Sequence, residues 1–155
     1  MYKILVVDDE SIEREGISFL IEKYKFPLEV AQATNGKTAL EYMRTHPIDI
    51  LLTDVKMPQM DGLELARHTF EKYPDVRILV FSAYGEFEFA KKAMAAQAVS
   101  YLLKPIEVDE FQRVMTQIIA QCDELSEKKK DEQQRGEEYR QQLLFRLVTG
   151  TGLGK

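Results

Sequence analysis

Five short apolar runs, rich in β-branched residues, alternate along this chain with five helical patterns, and that alternation narrows the folds open to it. The runs cover residues 3–7, 28–33, 49–54, 77–81 and 99–103. Ile12, Gly16, Ile17, Leu20 and Ile21 recur at helical spacing, which predicts a helix over about residues 11–23, ended by Phe26-Pro27. Asn35-Gly36 is a turn signal before a helix carrying Ala39, Leu40 and Met43, and His46-Pro47 closes it. Asp61-Gly62 opens a third helix with Leu63, Ala66 and Phe70 on one face, ended at Tyr73-Pro74-Asp75. A fourth helix is expected over about residues 86–97, and Asp109 is expected to cap a fifth that turns Phe111, Val114, Met115, Ile118 and Ile119 inward. Strands alternating with helices imply a parallel sheet covered on both faces, and the near-continuous apolar runs favour that over an antiparallel sheet wet on one side.

In such a fold, ligands bind outside the carboxyl ends of the strands, where the winding changes direction. The third run, Ile50-Leu51-Leu52-Thr53-Asp54, has no glycine or proline and ends in a carboxylate before Pro58. The other runs end at Asp8 and Asp9, at Ser82 and at Lys104-Pro105. Three acids, a hydroxyl and an ammonium are thereby expected to share one crevice. Converging carboxylates repel one another, and a hard divalent cation relieves the repulsion. Mg²⁺ prefers carboxylate oxygens and works beside phosphate, while Lys104 and Ser82 offer a phosphoryl group a positive charge and a donor. The expected chemistry is phosphorylation of one of the acids with Mg²⁺.

These residues, Val6-Val7-Asp8-Asp9-Glu10, Thr53-Asp54-Val55-Lys56-Met57-Pro58 with Met60-Asp61-Gly62, Phe81-Ser82-Ala83 and Tyr101-Leu102-Leu103-Lys104-Pro105, resemble the receiver domain of two-component response regulators over about residues 1–122. The resemblance implies a flavodoxin-like sheet in the order 2-1-3-4-5. It implies that Asp54 accepts a phosphoryl group from a sensor histidine kinase, and that Asp8, Asp9, Asp54 and the backbone carbonyl of Lys56 hold Mg²⁺. Lys104 would pair with the phosphoryl oxygens, Ser82 would hydrogen-bond one of them, and Tyr101 would turn inward as the switch. A cis Lys104-Pro105 bond is also implied. Lys56 and Tyr84 lie two positions past the phosphoacceptor and the switch hydroxyl, where receiver side chains flank the path of attacking water. Both are large, which predicts slow self-dephosphorylation.

Simpler readings compete at each position. Asp8 and Asp9 taken alone could cap a helix, Ser82 and Lys104 taken alone could be solvated surface, and Tyr101 could be ordinary packing. Gly36-Lys37-Thr38 imitates the end of a phosphate-binding loop, but Ala31 stands where its first glycine belongs, so this is a turn and helix start. His46 and His68 lie beside helix ends without spaced partners. An aspartyl phosphatase of the haloacid dehalogenase type needs a second acid two residues after its nucleophile, where this chain has Lys56. The chain is therefore read as a phosphoacceptor switch and not as a phosphatase.

The net charge of -5 argues against sequence-independent nucleic-acid binding by this chain. One cysteine, Cys122, precludes an internal disulfide, and no apolar run approaches a membrane span, so a cytoplasmic protein is expected. Receivers signal through the fourth helix, fifth strand and fifth helix, which here means about residues 86–97, 99–103 and 109–122, often by dimerising. Tyr84-Gly85-Glu86-Phe87-Glu88-Phe89-Ala90 and the later Leu-rich segment resemble the receivers fused to AraC-type helix-turn-helix domains in the YesN-like group. Residues 123–140 carry twelve charges, with Leu125 and Tyr139 the large apolar side chains among them. The coiled-coil steps Phe111, Met115, Ile118, Cys122 and Leu125 continue into Lys129, Glu132 and Gly136 before recovering at Tyr139 and Leu143. Residues 123–148 are thus read as a helical, coiled-coil-like extension that pairs two copies or as a frayed linker, and residues 149–155 as a flexible tail. The expectation is a receiver and linker of a longer transcription regulator, with a stand-alone relay receiver or protein-interaction module as the alternative.

Overall fold

The computed structural model describes residues 1–95 and 99–150, with Tyr84 described by its backbone alone. Five strands, β1 (Tyr2–Val7), β2 (Leu28–Ala33), β3 (Ile50–Asp54), β4 (Arg77–Ala83) and β5 (Val99–Lys104), alternate with five helices. The helices are α1 (Ser11–Lys23), α2 (Gly36–Thr45), α3 (Gly62–Lys72), α4 (Tyr84–Ala93) and α5 (Val108–Thr149). All strand pairs are parallel, and the sheet order is β2-β1-β3-β4-β5, the flavodoxin-like order implied by the sequence resemblance. The chain divides into two compact units at Cys122/Asp123.

The central strands bury both faces, which is why their sequences are apolar without interruption. Ile4 and Val6 of β1, with Ile50 and Leu52 of β3, pack against Ile17 and Ile21 of α1 and Phe111, Val114, Met115 and Ile118 of α5. The intervening residues Leu5, Val7 and Leu51 face the opposite layer, with Ala39 and Met43 of α2 and Leu65 of α3. Ile78 and Val80 of β4 pack with Leu63 and Ala66 of α3 and Ala90 and Met94 of α4. Alternate side chains of one strand thus feed two separate cores, as the two-residue period of a strand requires. Cys122 is buried in the α1–α5 layer, outside any disulfide.

Several ends differ from the sequence expectation. β4 does not stop before Ser82 but continues through Ala83, because its pairing with β5 extends to Ala83↔Lys104. β5 likewise includes Lys104. α4 starts at Tyr84 rather than Glu86 and its last residue is Ala93; Gln97, the expected end, lies outside the described residues. Asp109 is not the cap of α5 but sits in its first turn, since the helix begins at Val108 and the Phe111 N–H donates to the Glu107 carbonyl. Asn35 and Asp61 do cap their helices, accepting from the Thr38 and Glu64 N–H groups at 2.8 and 2.9 Å. Residues 123–149 continue α5 as helix through Gly136 to Thr149; of the expected tail, residues 151–155 lie outside the described residues.

The start of α3 is pressed against the end of β3. The Gly62 N–H donates to the Val55 carbonyl at 2.8 Å. A Cβ on Gly62 would lie 1.8 Å from the Asp54 carbonyl oxygen, a backbone atom that cannot turn aside. We therefore expect Gly62→Ala to cost about 3 kcal/mol of stability in urea unfolding, at the upper end of what an added methyl costs in a packed interior.

Candidate functional site

Because every strand runs the same way, all five carboxyl ends lie on one edge of the sheet. Val7 pairs with Thr53, so the next residues, Asp8 and Asp54, emerge side by side. Both are buried, at 2% and 7% exposure, while Asp9 is exposed. One oxygen from each of the three acids can be chosen so that all lie within 4.8 Å of one another.

Local bonds aim these groups. Asp8 Oδ1 accepts the Glu10 N–H at 2.9 Å, and Asp54 Oδ1 accepts the Val55 N–H at 2.8 Å. Their other oxygens face one ammonium. Lys104 Nζ lies 3.4 Å from Asp8 Oδ2 and 3.3 Å from Asp54 Oδ2, and 4.6 Å from the centre of the Phe81 ring. Ser82 is fully buried, and its Oγ has no hydrogen-bond partner among the described residues. A buried hydroxyl left so is costly and calls for an acceptor that completes the site.

Burial is the main influence on Asp54 and raises its pKa above the ordinary 3.8; the Lys104 charge opposes this in part and the Asp8 charge adds to it. For Lys104, burial works against the ammonium, but the Asp54 and Asp8 charges, with Glu13, outweigh it and raise the pKa above 10.5. One ammonium thus faces two buried acids, with Asp9 clustered beside them, and does not balance the three. The all-oxygen donor set and the remaining negative charge fit a hard divalent cation such as Mg²⁺, held by Asp8, Asp9 and Asp54.

An open cavity of about 530 Å³ lies over these groups, lined by Asp9, Glu10, Asp54, Lys56, Met57, Pro58, Ala83, Glu86 and Lys104. Lys56 is at its edge, with Nζ 3.6 Å from Glu86 Oε1. Glu86 escaped the sequence reading as a site residue, because only the fold brings the start of α4 to the loop after β3. Tyr101 does not line this cavity. Its ring is half-buried beside Phe87, edge to face at 6.0 Å between centroids, and burial raises its pKa. The Tyr84 side chain, expected with that of Lys56 to flank the path of attacking water, lies outside the described residues. Lys104-Pro105 is cis. His46 stacks on Tyr42 at the other end of the sheet, away from the site.

A family profile, the response regulator receiver domain, matches residues 4–116. The chain belongs to this family. It is 41% identical over 122 residues to the transcriptional regulatory protein YesN of Bacillus subtilis, covering 78% of this chain and 33% of that protein. It is 33% identical over 120 residues to the response regulator GacA of Pseudomonas aeruginosa, covering 77% of this chain and 56% of that one. Among solved structures it is similar to a two-component AraC transcriptional regulator from Clostridium phytofermentans, at 34% identity and a TM-score of 0.72, covering 80% of this chain and 97% of that chain. It is also similar to the receiver domain of AraT from Geobacillus stearothermophilus, at 37% identity and a TM-score of 0.72, covering 83% and 98%. The chain spans roughly a third to a half of the curated relatives it matches first, 33% of one and 45% of another. Among the described residues, no helix is long and apolar enough to cross a membrane.

The raised Asp54 pKa has a stability consequence with a definite sign. A carboxyl whose folded pKa exceeds its unfolded value contributes stability that is complete below 3.8 and is lost as pH rises through the raised value. Lys104 contributes stability complete below 10.5 and lost as pH rises through its own raised value. In metal-free buffer, Asp54→Asn is therefore expected to melt higher than the wild type at neutral pH. The gap should close as pH falls towards 4, because wild-type Asp54 then takes up its proton. Scanning calorimetry over that range checks this, and a gap independent of pH would contradict it.

Proposed function

We propose that this chain is a phosphorylation-dependent switch in which Asp54 is the phosphoacceptor and a sensor histidine kinase is the donor. The observation that carries the reading is the pairing of the buried Asp54 carboxylate with Lys104 at 3.3 Å, with a buried Ser82 hydroxyl on the neighbouring strand that has no hydrogen-bond partner among the described residues. An Asp54 oxygen attacks the phosphorus of a phosphohistidine. The P–N bond breaks, its electron pair passes to the imidazole, and the product is an aspartyl phosphate. Bound Mg²⁺ would supply positive charge against the phosphoryl oxygens. Asp8, Asp9 and Asp54 would hold it with the Lys56 backbone carbonyl. Lys104 neutralises phosphoryl charge from the other side, and Ser82 donates its hydroxyl proton to a phosphoryl oxygen. These groups position and neutralise; the chain serves as the accepting partner of the transfer and loses its phosphate slowly by itself.

The output follows from the place of Ser82 on β4. Drawing its hydroxyl to the phosphate vacates space beside β5, and Tyr101 turns inward from its seat by Phe87. The surface of α4, β5 and the first part of α5 is thereby altered, and two copies pair through it and through the C-terminal helix. Relatives described as transcription regulators support a DNA-binding output in the full-length protein, in a segment this chain does not include. The acidic chain itself is proposed to act in the cytoplasm, without binding nucleic acid or membrane.

Intact mass after incubation with phosphoramidate and Mg²⁺ tests the reading. The wild type should gain one phosphoryl group, Asp54→Asn none, and chelation should abolish the gain; no gain by a folded wild type overturns the proposal. Lys56 and Tyr84 are proposed to shield the aspartyl phosphate from water. Lys56→Ala, which opens the cavity edge, should therefore shorten the phosphoprotein half-life severalfold, and an unchanged or longer half-life would contradict the shielding.

A further inference from the structure

The carboxylates of the acidic cluster are not all equally held. Asp8 and Asp54 are buried and hydrogen-bonded, whereas Asp9 is exposed and no hydrogen bond or ion pair to another described residue fixes its carboxylate. Where it can reach depends on the peptide plane that joins it to Asp8, together with its own side-chain torsions. That plane is rigid, so fixing the Asp8 carbonyl oxygen fixes the amide nitrogen and the Cα of Asp9 as well.

Arg14, one turn into α1, does this. Its Nη1 donates to the Asp8 carbonyl oxygen at 2.6 Å. Its Nε donates to Gln32 Oε1 on β2 at 3.0 Å, which sets the plane of the guanidinium. Gln32 Nε2 reaches Ser18 Oγ at 3.4 Å, and the Ser18 hydroxyl in turn donates to the Arg14 carbonyl at 3.0 Å. The Arg14 N–H also donates to the Glu10 carbonyl at 3.3 Å, while the Glu10 N–H holds Asp8 Oδ1. A closed ring of bonds over α1 and β2 therefore ends on the one peptide that links two of the three clustered acids. The guanidinium spends its bonds on a carbonyl and an amide, so it steers the acids without neutralising any of them by direct contact.

We propose that Arg14, oriented by Gln32, is a positioning residue for the divalent-cation site: it sets the Asp8–Asp9 peptide so that the Asp9 carboxylate is carried within reach of Asp8 and Asp54. The inference rests on the metal reading of the acidic cluster. Partners that orient metal ligands from behind affect affinity by about 10–100-fold.

Mn²⁺ binding followed by electron paramagnetic resonance on the full chain, without phosphodonor, tests it. The wild type should bind one Mn²⁺ and Asp9→Asn should lose it. Arg14→Gln should weaken binding by about tenfold or more. Arg14→Lys should weaken it similarly, because an ammonium keeps the charge but cannot span the Asp8 carbonyl and Gln32 together. Gln32→Met should weaken binding severalfold, and it reads the same ring should the Arg14 variants fail to fold. Metal-free melting curves separate lost affinity from lost stability. Wild-type binding that is unchanged in Arg14→Gln, or fully retained in Arg14→Lys, overturns the inference and leaves the metal reading standing; so does unchanged binding in Gln32→Met if the Arg14 variants do not fold. No Mn²⁺ binding by the wild type overturns both.

Discussion

Asp8 and Asp54 carry like charges at the ends of neighbouring strands, inside the protein, with one ammonium facing both. The parallel pairing of β1 and β3 makes this arrangement unavoidable: once Val7 sits beside Thr53, the following acids share an edge. Asp8 and Asp54 are buried there even though a cavity opens over them, and burial is the largest influence on Asp54. Lys104 reaches both carboxylates from β5, two strands beyond β3. It offsets part of the repulsion and leaves the rest. That remainder favours a cation, so a locally unfavourable arrangement is tied to binding.

The surroundings of the acids follow from the same crowding. Gly62 lets α3 start against the Asp54 carbonyl, where any side chain would collide with the backbone, and Asp61 caps the helix immediately before it. Phe81, one residue before the buried Ser82 hydroxyl, places its ring against the Lys104 ammonium. On the other side, α1 and β2 supply Arg14 and Gln32, whose bonds end on the Asp8 carbonyl. The site is thus anchored from both layers of helices, and each anchor acts on backbone or on a charge partner more than on the carboxylates themselves.

Much of this was legible in order along the chain. The strand ends at Asp8-Asp9, Asp54, Ser82 and Lys104 could be read because parallel sheets send all carboxyl ends to one edge, and the caps at Asn35 and Asp61 announced their helices. Less legible were the ends set by neighbours. β4 runs on to Ala83 because β5 pairs with it that far, and α4 begins directly after it at Tyr84 with no side-chain cap to mark it. The segment after Cys122 was ambiguous for a different reason. Its broken apolar seam says little about helix formation, whereas its Glu, Lys, Gln and Arg content favours helix at single residues, and α5 accordingly continues to Thr149 through Gly136.

The sequence by itself determined the alternation of elements, the uninterrupted apolar strands and the reactive residue types at their ends, because periodicity and turn chemistry are local properties. Tertiary structure alone decided which groups touch. The pairing of Lys56 with Glu86 and the reach of Arg14 to the Asp8 carbonyl join residues whose spacing carries no signal. Likewise, Ser82 is one of five serines in the sequence, and only the closure of β4 between β3 and β5 leaves its hydroxyl buried and without a hydrogen-bond partner among the described residues. Burial, charge balance and the count of unmet hydrogen bonds are sums over neighbours from many strands and helices, and those sums exist only once the chain has folded.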